Sequence, residues 1–474
     1  MKIILTVHQF LPEHATGTEI LTLETARSLR ASGHEVVIVT GAYSPDALRD
    51  DERFDRYEYD GFAVERYRFS PSPIGGSANY SELDYRNPLF AEHFRNFLRT
   101  FQPDIVHAFH LMRLSALVVD VCHEEGVPIV FTPTDFWFVC PYVQLLKPDH
   151  SPCQGPDDDA LNCLRHYLDV TGSRSRITRL VRLAPDALLR PALKAVRDRA
   201  AAPPGQPQGR LTRLTERAGA VARRPAFLMA RLNRMARVLA PTRFMGEVLT
   251  RHGLHASRLE YLPFGIKLDG QHTPVPRKPS STLRVGYIGT LSPHKGAHVL
   301  IDAVRHLIPK DFDFECRIYG KLTDFPDHVK WLQTMAAEDE RIRFLGTFPN
   351  DRIGDIFADL DVLVVPSIWY ENTPLVIYSA QANLCPVIAS DFPGMSEVIS
   401  DGDNGLLFPA EDWHGLAMRL IDLYRNRDRV QAMSARARAP ASVDQYATRL
   451  VEVYEETLSG RPAGAPAHST AAGV

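Results

Sequence analysis

Three loops carry residue types that could hold an anion or a polyol. In SIWYENTPLVIYSAQANLCPVIAS (367–390) a lone carboxylate, Glu371, stands just ahead of an apolar helical pattern that otherwise reads as buried. At a helix N-terminus the dipole favours the ionised carboxylate, and backbone N–H groups there can be shared with a ligand. In VGYIGTLSPHKGAHVLIDAV, Gly286 and Gly289 allow close approach, and Lys295 precedes Gly296 at a helix start. A cation and a helix N-terminus aimed at one point suit a diphosphate; the plainer reading is an exposed lysine on a capped loop. In HQFLPEHATGTEI, Gly17 precedes a further helix start, where a turn and cap account for the glycine as well as an anion site does. SDFPGMSEVISDGDNGLLF adds Gly394, Glu397, Asn404 and Gly405 on a fourth loop.

A separate constellation lies in CPYVQLLKPDHSPCQGPDDDALNCLRHYL, where Cys140, Cys153, Cys163 and His166 follow in C-x12-C-x9-C-x2-H order. The close Cys163/His166 pair is of the kind structural zinc sites use, so a zinc-stapled loop is one reading and buried thiols that only pack the other. Cys122, Cys316 and Cys385 fall within core-like runs and read as packing residues.

These loops need a scaffold, and the hydrophobic pattern supplies one. Ile3–Val7, Val36–Thr40, Ile105–Ala108 and Ile129–Thr132 are short apolar runs with helical stretches between them, the pattern of parallel strands covered on both faces. In the first crossover, Ile20, Leu23, Ala26 and Leu29 keep helical spacing and Gly33 supplies the stop. The alternation resumes after LDGQHTPVPRKPSS (268–281), a linker, with Leu283–Ile288, Glu315–Tyr319, Val362–Val365 and Val387–Ala389. A chain of 474 residues exceeds a single core of roughly 250 to 300 residues. The expectation is therefore an α/β protein of two doubly wound, Rossmann-like domains facing across a cleft, residues 1–267 and 282–440, with ligands at the carboxyl ends of strands. A last helix follows over 441–458, then a small, polar tail over 459–474.

Charge is uneven. The net charge is −3, yet 171–237 carries 16 Arg or Lys against Asp186, Asp198 and Glu216, a net of +13, which leaves −16 on the remainder. Arginines interleaved with apolar residues read as a basic helical insertion against an anionic membrane surface or acidic acceptor; the plainer reading pairs them with the acidic remainder. No aromatic platform or recognised module points to nucleic acid. No apolar run is long enough to span a bilayer, the first residues lack a leader pattern, and six cysteines form no disulfide framework, so a reduced cytoplasmic protein, at most peripheral to the inner membrane face, is expected.

In order and spacing, GTEI before GHEV, PDIVHAFH, TPTDFWFVCP, VGYIGTLSPHKG, and PSIWYENTPLVIYSAQA followed by GMSEVISDGDNGLL together resemble the family 4 glycosyltransferases. The resemblance spans nearly the whole chain apart from the insertion and tail. It implies a GT-B fold and a retaining, metal-independent transfer of a hexose from a nucleoside diphosphate sugar to a glycan or lipid-linked acceptor. It also implies that Lys295 contacts the diphosphate, that Glu371 holds sugar hydroxyls, that backbone at Asn372, Thr373 and Leu375 beside Pro374 lines the donor, and that the Gly17 and Gly289 loops approach from either side.

Departures from the family pattern are equally specific. Ser379 stands where the second glutamate of E-x7-E would bind the ribose, and a hydroxyl cannot clamp a diol as a carboxylate does. Thr290 replaces a diphosphate-binding arginine, and Thr134 replaces the histidine of T-x-H-D, leaving Asp135 as the nearest ionisable group. His110 is either a second contact to donor or acceptor sugar or a structural histidine. These substitutions keep open a degenerate member that binds a sugar nucleotide or a partner enzyme without turnover. A nicotinamide dehydrogenase is disfavoured, since no strand is followed by GxGxxG with an acidic residue about 20 positions on.

Overall fold

Strand β1 (Lys2–Val7) has five consecutive buried residues and lies inside the first sheet, where a run without polar alternation has both faces covered. With it pair β2 (Glu35–Tyr43), β3 (Phe54–Tyr59), β4 (Phe62–Phe69), β5 (Ile105–Ala108), β6 (Ile129–Phe131), β7 (Arg237–Ala240) and β8 (Leu259–Tyr261), in the order β3-β4-β2-β1-β5-β6-β7-β8. Only β3 runs antiparallel, joined to β4 by Asp60-Gly61, both with positive φ, the pair a two-residue hairpin turn demands. The computed structural model describes residues 1–170, 181, 183–198, 210–268, 273–372 and 374–460.

The second sheet contains β9 (Leu283–Ile288), β10 (Phe314–Tyr319), β11 (Ile342–Gly346), β12 (Val362–Val365), β13 (Val387–Ser390) and β14 (Gly405–Phe408). Its order, β11-β10-β9-β12-β13-β14, all parallel, reverses direction between β9 and β12. The first sheet reverses in the same way between β1 and β5. Such switch points open a crevice at the carboxyl ends of the strands, so the loops after β1, β5, β9 and β12 are where ligands are expected.

The helix Val443–Leu458 begins at a Ser442/Gln445 capping box and returns to the first domain. Tyr446, Leu450, Val453 and Tyr454 share a core with Ile3, Leu5 and Leu29, and Arg449 pairs with Glu260. Residues 441–458 thus form a strap that closes the two domains onto each other.

Within 171–237 the described helices are Asp186–Arg197 and Arg210–Leu232. They pack with the helix Leu161–Val170 around Leu164, Leu168, Leu193 and Val221, while Leu228 and Leu232 enter the main core of the first domain. The arginines face acids elsewhere: Arg190 lies 2.9 Å from Asp157, Arg231 2.8 Å from Asp120, Arg223 3.2 Å from Glu82, and Arg237 2.9 Å from Glu260. Much of the described basic charge is therefore spent inside the chain, as the plainer reading of the insertion requires.

Candidate functional site

The loop after β9 is shaped by one glycine. Gly296 has φ +72°, and a Cβ there would lie 1.9 Å from the Pro366 carbonyl, so only glycine lets this turn press against the loop after β12. That contact sets Lys295 beside Glu371, with Nζ 2.5 Å from Oε1. The same oxygen accepts the Ser367 hydroxyl at 2.7 Å and the Trp369 indole N–H at 2.8 Å. An acidic residue at the mouth of an apolar helix is thereby explained, since Glu371 is buried (5% exposed) but carries a cation and two further donors. Burial would raise its pKa, yet the Lys295 ammonium and the hydrogen bonds outweigh it and hold the carboxyl below its ordinary value. Lys295 also lies over the Trp369 ring, and His294 packs against that ring's edge. Burial, with the Lys295 charge second, pushes His294 down to about 4.

Around this pair the other expected donor residues take distinct places. The helix Leu375–Ala382 begins after Pro374, and no side chain caps it. A Cβ placed on Gly17 would lie 3.9 Å from Leu375 Cδ1, so the helix start after β1 faces this one across the cleft. Gly289 donates its N–H to Tyr319, and the Thr290 carbonyl accepts the Tyr287 hydroxyl at 2.8 Å. The Asn372 side chain is tied to the first domain, accepting from Thr242 at 3.2 Å and donating to the Pro133 carbonyl at 2.8 Å. Ser379 donates its hydroxyl back to the Leu375 carbonyl at 3.1 Å. Thr373 lies outside the described residues. Glu397 accepts the N–H groups of Arg243 and Phe244, capping a first-domain helix across the cleft, and Asn404 braces its own turn.

On the first domain, His110 and Asp135 come together from the ends of β5 and β6. His110 Nε2 lies 2.8 Å from Asp135 Oδ2, and its Nδ1 accepts the Met112 N–H at 3.0 Å, so the ring carries its proton on Nε2 and donates it to the carboxylate. Asp135 is oriented in turn by the Trp137 N–H at 2.8 Å. Thr134 donates to the Phe109 carbonyl at 3.3 Å and takes no part in that pair. Two residues that sequence spacing does not single out complete the group. His8, immediately after β1, lies tilted against His110 at 4.3 Å between ring centroids, and Glu19 approaches His8 at 3.8 Å. His8 Nδ1 and Glu19 Oε1 are both buried without a hydrogen-bond partner. Burial, with the neighbouring His110 second, lowers His8 well below its ordinary value. Only their position at strand and helix ends could have flagged them.

Cys140, Cys153, Cys163 and His166 line one cavity of about 240 Å³ on the first domain. They do not close on a point there: among the described residues no three His, Cys, Asp or Glu side chains are grouped as the ligands of a metal ion. The His166 ring is instead stacked on Tyr142. The neighbouring helix Asp186–Arg197 buries Leu193 yet leaves several apolar residues facing out. Arg190 and Arg197 turn toward Asp157 and Asp159, whereas Leu188, Pro191, Ala192 and Ala195 are exposed, and Leu183 and Leu188 reach 76% and 69% exposure. No helix of the described residues is long and apolar enough to cross a membrane.

Comparison with known proteins gives this geometry a family. Residues 282–426 match the profile described as Glycosyl transferases group 1, and residues 16–160 the one described as Glycosyl transferase 4-like domain. The chain is similar to the D-inositol 3-phosphate glycosyltransferase of Nocardia farcinica, 31% identical over 183 residues, which is 37% of this chain and 40% of that protein. It is also similar to the phosphatidyl-myo-inositol mannosyltransferase of Mycobacterium leprae, 30% identical over 202 residues, 41% and 52% of the two chains. The chain thus spans about half the length of the curated relatives it matches. Among solved structures it resembles Anabaena HepE in complex with UDP and glucose, with TM-score 0.61, 17% identity and coverage of 96% of this chain and 100% of that one. Sucrose-phosphate synthase from Thermosynechococcus elongatus superposes with TM-score 0.63, 16% identity and coverage of 97% and 99%. At that identity the likeness concerns the fold, the two-domain GT-B arrangement.

Proposed function

The chain belongs to the family 4 glycosyltransferases, and from that premise we propose that it moves a hexose from a nucleoside diphosphate sugar to a glycan or lipid-linked acceptor, with retention at the anomeric carbon. The observation that carries this reading is the convergence of Lys295 and Glu371 at the β9/β12 switch point, opposite the helix start at Gly17. In the proposed reaction the bond from the anomeric carbon to the diphosphate oxygen breaks. The acceptor oxygen bonds to the same face of that carbon, and its proton passes to the departing diphosphate. Lys295 and the helix start at Leu375 stabilise the charge growing on the diphosphate, while Glu371 holds sugar hydroxyls as the ring flattens toward an oxocarbenium ion. His110 and Asp135 border the first-domain side of the cleft, where the acceptor hydroxyl would enter.

A lipid-linked acceptor at an anionic membrane face, on the cytoplasmic side, is supported by the exposed apolar face at Leu183 and Leu188 within a segment of net charge +13. A second reading, binding of a sugar nucleotide or a partner without turnover, is supported by Ser379, whose hydroxyl is engaged with its own helix. One experiment separates them. Calorimetric titration with UDP, GDP, ADP and their sugar conjugates is paired with a glycosyl-release assay on the winning donor, for the natural chain and Glu371→Ala. Donor binding with release that Glu371→Ala abolishes supports transfer; binding with no release in either protein supports the second reading; no binding by any nucleotide overturns both nucleotide-dependent forms.

A further inference from the structure

The turn TDFWFVCP (134–141) leaves one backbone carbonyl without a backbone donor. The Phe136 carbonyl accepts the N–H groups of Val139 and Cys140 at 2.9 and 2.7 Å. Continuing that turn, the Trp137 carbonyl would take the N–H of residue 141, but Pro141 has none. Trp137 is 1% exposed, so an unmet carbonyl there would be costly. Arg224, 3% exposed, meets it: Nη2 donates to that carbonyl at 2.5 Å, and the guanidinium carbon lies 5.2 Å from the Trp137 ring centroid. The arginine comes from the helix Arg210–Leu232 of the basic insertion, 87 residues away in sequence. Everything else about its position is unfavourable. Nε and Nη1 are buried with no partner, and among the described residues no carboxylate forms an ion pair with it. Asp84, within electrostatic reach, already accepts the Trp137 indole N–H at 3.0 Å. An apolar side chain of similar volume would fill the same core without those costs. What it could not do is hold the Trp137 carbonyl.

We propose that Arg224 is a positioning residue for the Asp135–His110 pair, acting through Trp137. The inference rests on the proposed glycosyl transfer, in which that pair borders the entry of the acceptor hydroxyl. Trp137 is held at its carbonyl by Arg224 and at its indole N–H by Asp84, while its backbone N–H donates to Asp135 Oδ1 at 2.8 Å. The other carboxylate oxygen, Oδ2, accepts the His110 Nε2–H at 2.8 Å. The Trp137 carbonyl and N–H flank the same Cα, so releasing the first loosens the second. Asp135 is then free to turn, and His110 loses the partner that keeps its proton on Nε2. The insertion, which lies outside the family pattern, thus supplies a support of the cleft, and a small displacement of a positioned group is enough to slow a transfer.

The test compares the natural chain with Arg224→Met and Arg224→Lys, and takes Arg223→Met, which removes a neighbouring arginine paired with Glu82, as control. Three quantities are read: the Nε2–H resonance of His110 in histidine-labelled full chain, assigned with His110→Ala; affinity for the sugar conjugate that the UDP, GDP and ADP screen selects; and kcat for sugar transfer. Arg224→Met is expected to lose the resonance and lower kcat about 10- to 100-fold while donor affinity stays within about twofold. Arg224→Lys, which keeps a donor for the carbonyl, should fall between, and Arg223→Met should match the natural chain. An unchanged His110 resonance in Arg224→Met overturns the inference even where turnover falls, because Arg224 then only supports the fold. Donor affinity falling as far as kcat also overturns it, since the whole cleft has then loosened. If none of the proteins turns over but the resonance is lost in Arg224→Met, the transfer reading fails and the positioning of His110 stands. Should Arg224→Met not fold, the resonance and kcat of Arg224→Lys decide in the same way.

Discussion

Lys295 Nζ lies 2.5 Å from Glu371 Oε1, so the cation suited to a diphosphate and the carboxylate suited to sugar hydroxyls are each other's partner across two loops. Donor binding must then exchange a buried ion pair for contacts to the ligand, and each residue's role can be read from what its loss does to the other. Lys295→Met is expected to weaken nucleoside diphosphate binding about 10- to 100-fold, the scale of a charge-assisted hydrogen bond. Glu371→Gln keeps the shape and frees Lys295, so diphosphate affinity should hold or rise while sugar transfer falls about 100-fold or more. Calorimetry and turnover on the same preparations check this; equal loss of affinity in both variants would contradict the division of roles.

Ser379 tests whether the donor pocket has lost its ribose clamp. Because its hydroxyl is already engaged with the Leu375 carbonyl, Ser379→Ala should change nucleotide affinity by less than about threefold. Ser379→Glu restores a carboxylate one helical turn beyond Leu375 and should tighten nucleotide binding about 10-fold, with no such gain for the diphosphate lacking ribose. A tenfold loss in Ser379→Ala would instead make the serine itself a ligand contact.

His110 and Asp135 lie on the opposite wall, away from the Lys295/Glu371 pair. His110→Ala should lower turnover by about 10²-fold while leaving donor affinity within about twofold, since positioned acid–base and hydrogen-bonding groups act on the reacting hydroxyl. Asp135→Asn preserves the Oδ1 bond from Trp137 but sets an amide NH2 against the His110 Nε2–H, removing the acceptor as well as the charge, so a drop comparable to that of His110→Ala is expected. An unchanged turnover in His110→Ala would reduce the histidine to a structural group.

Much of the scaffold was legible because buried parallel strands are continuous apolar runs. β1, β5, β9 and β12 coincide with such runs, and so do the switch-point loops they end in. β3 and β4 were not, since Phe54–Tyr59 and Phe62–Phe69 mix Arg, Glu and Tyr at the sheet edge where one side meets polar neighbours. β7 hides a buried arginine, Arg237, which the Glu260 and Glu456 carboxylates help make tolerable, and those come from distant sequence. In the site, Lys295 and Glu371 were readable singly, but their ion pair was not, because Gly296 creates it through a contact with Pro366. His8 and Glu19 escaped for the same reason: their significance lies in one buried atom each, His8 Nδ1 and Glu19 Oε1, left without a hydrogen bond, which sequence does not display.

The exposed apolar face at Leu183 and Leu188 predicts membrane contact through leucines more than through arginines. Leu183→Asp with Leu188→Asp should abolish flotation with vesicles containing phosphatidylglycerol while leaving donor binding unchanged. Because many described arginines are paired inside the chain, raising salt to about 0.5 M should weaken flotation only partly. Complete release by salt, or flotation indifferent to the leucines, would show that the face is not what meets the lipid.

His107 ties the C-terminal strap to the first sheet and should govern part of the acid stability. It has no exposed surface, its Nδ1 lies 2.5 Å from the Tyr454 hydroxyl and its Nε2 2.9 Å from Thr132 Oγ1. Burial pushes it from 6.5 down to about 3. The folded chain therefore refuses a proton that the unfolded chain takes up below pH about 6.5, so stability is full above that value and falls as pH drops toward about 3. Between pH 6.5 and 4.5 the loss from this group alone should be about 2 to 3 kcal/mol. Denaturant titrations of the natural chain and of His107→Gln at both pH values isolate it, because the other buried histidines contribute to both proteins. The glutamine variant should be less stable at pH 6.5 yet lose less on acidification, and parallel losses in the two proteins would show that His107 is not the group that titrates.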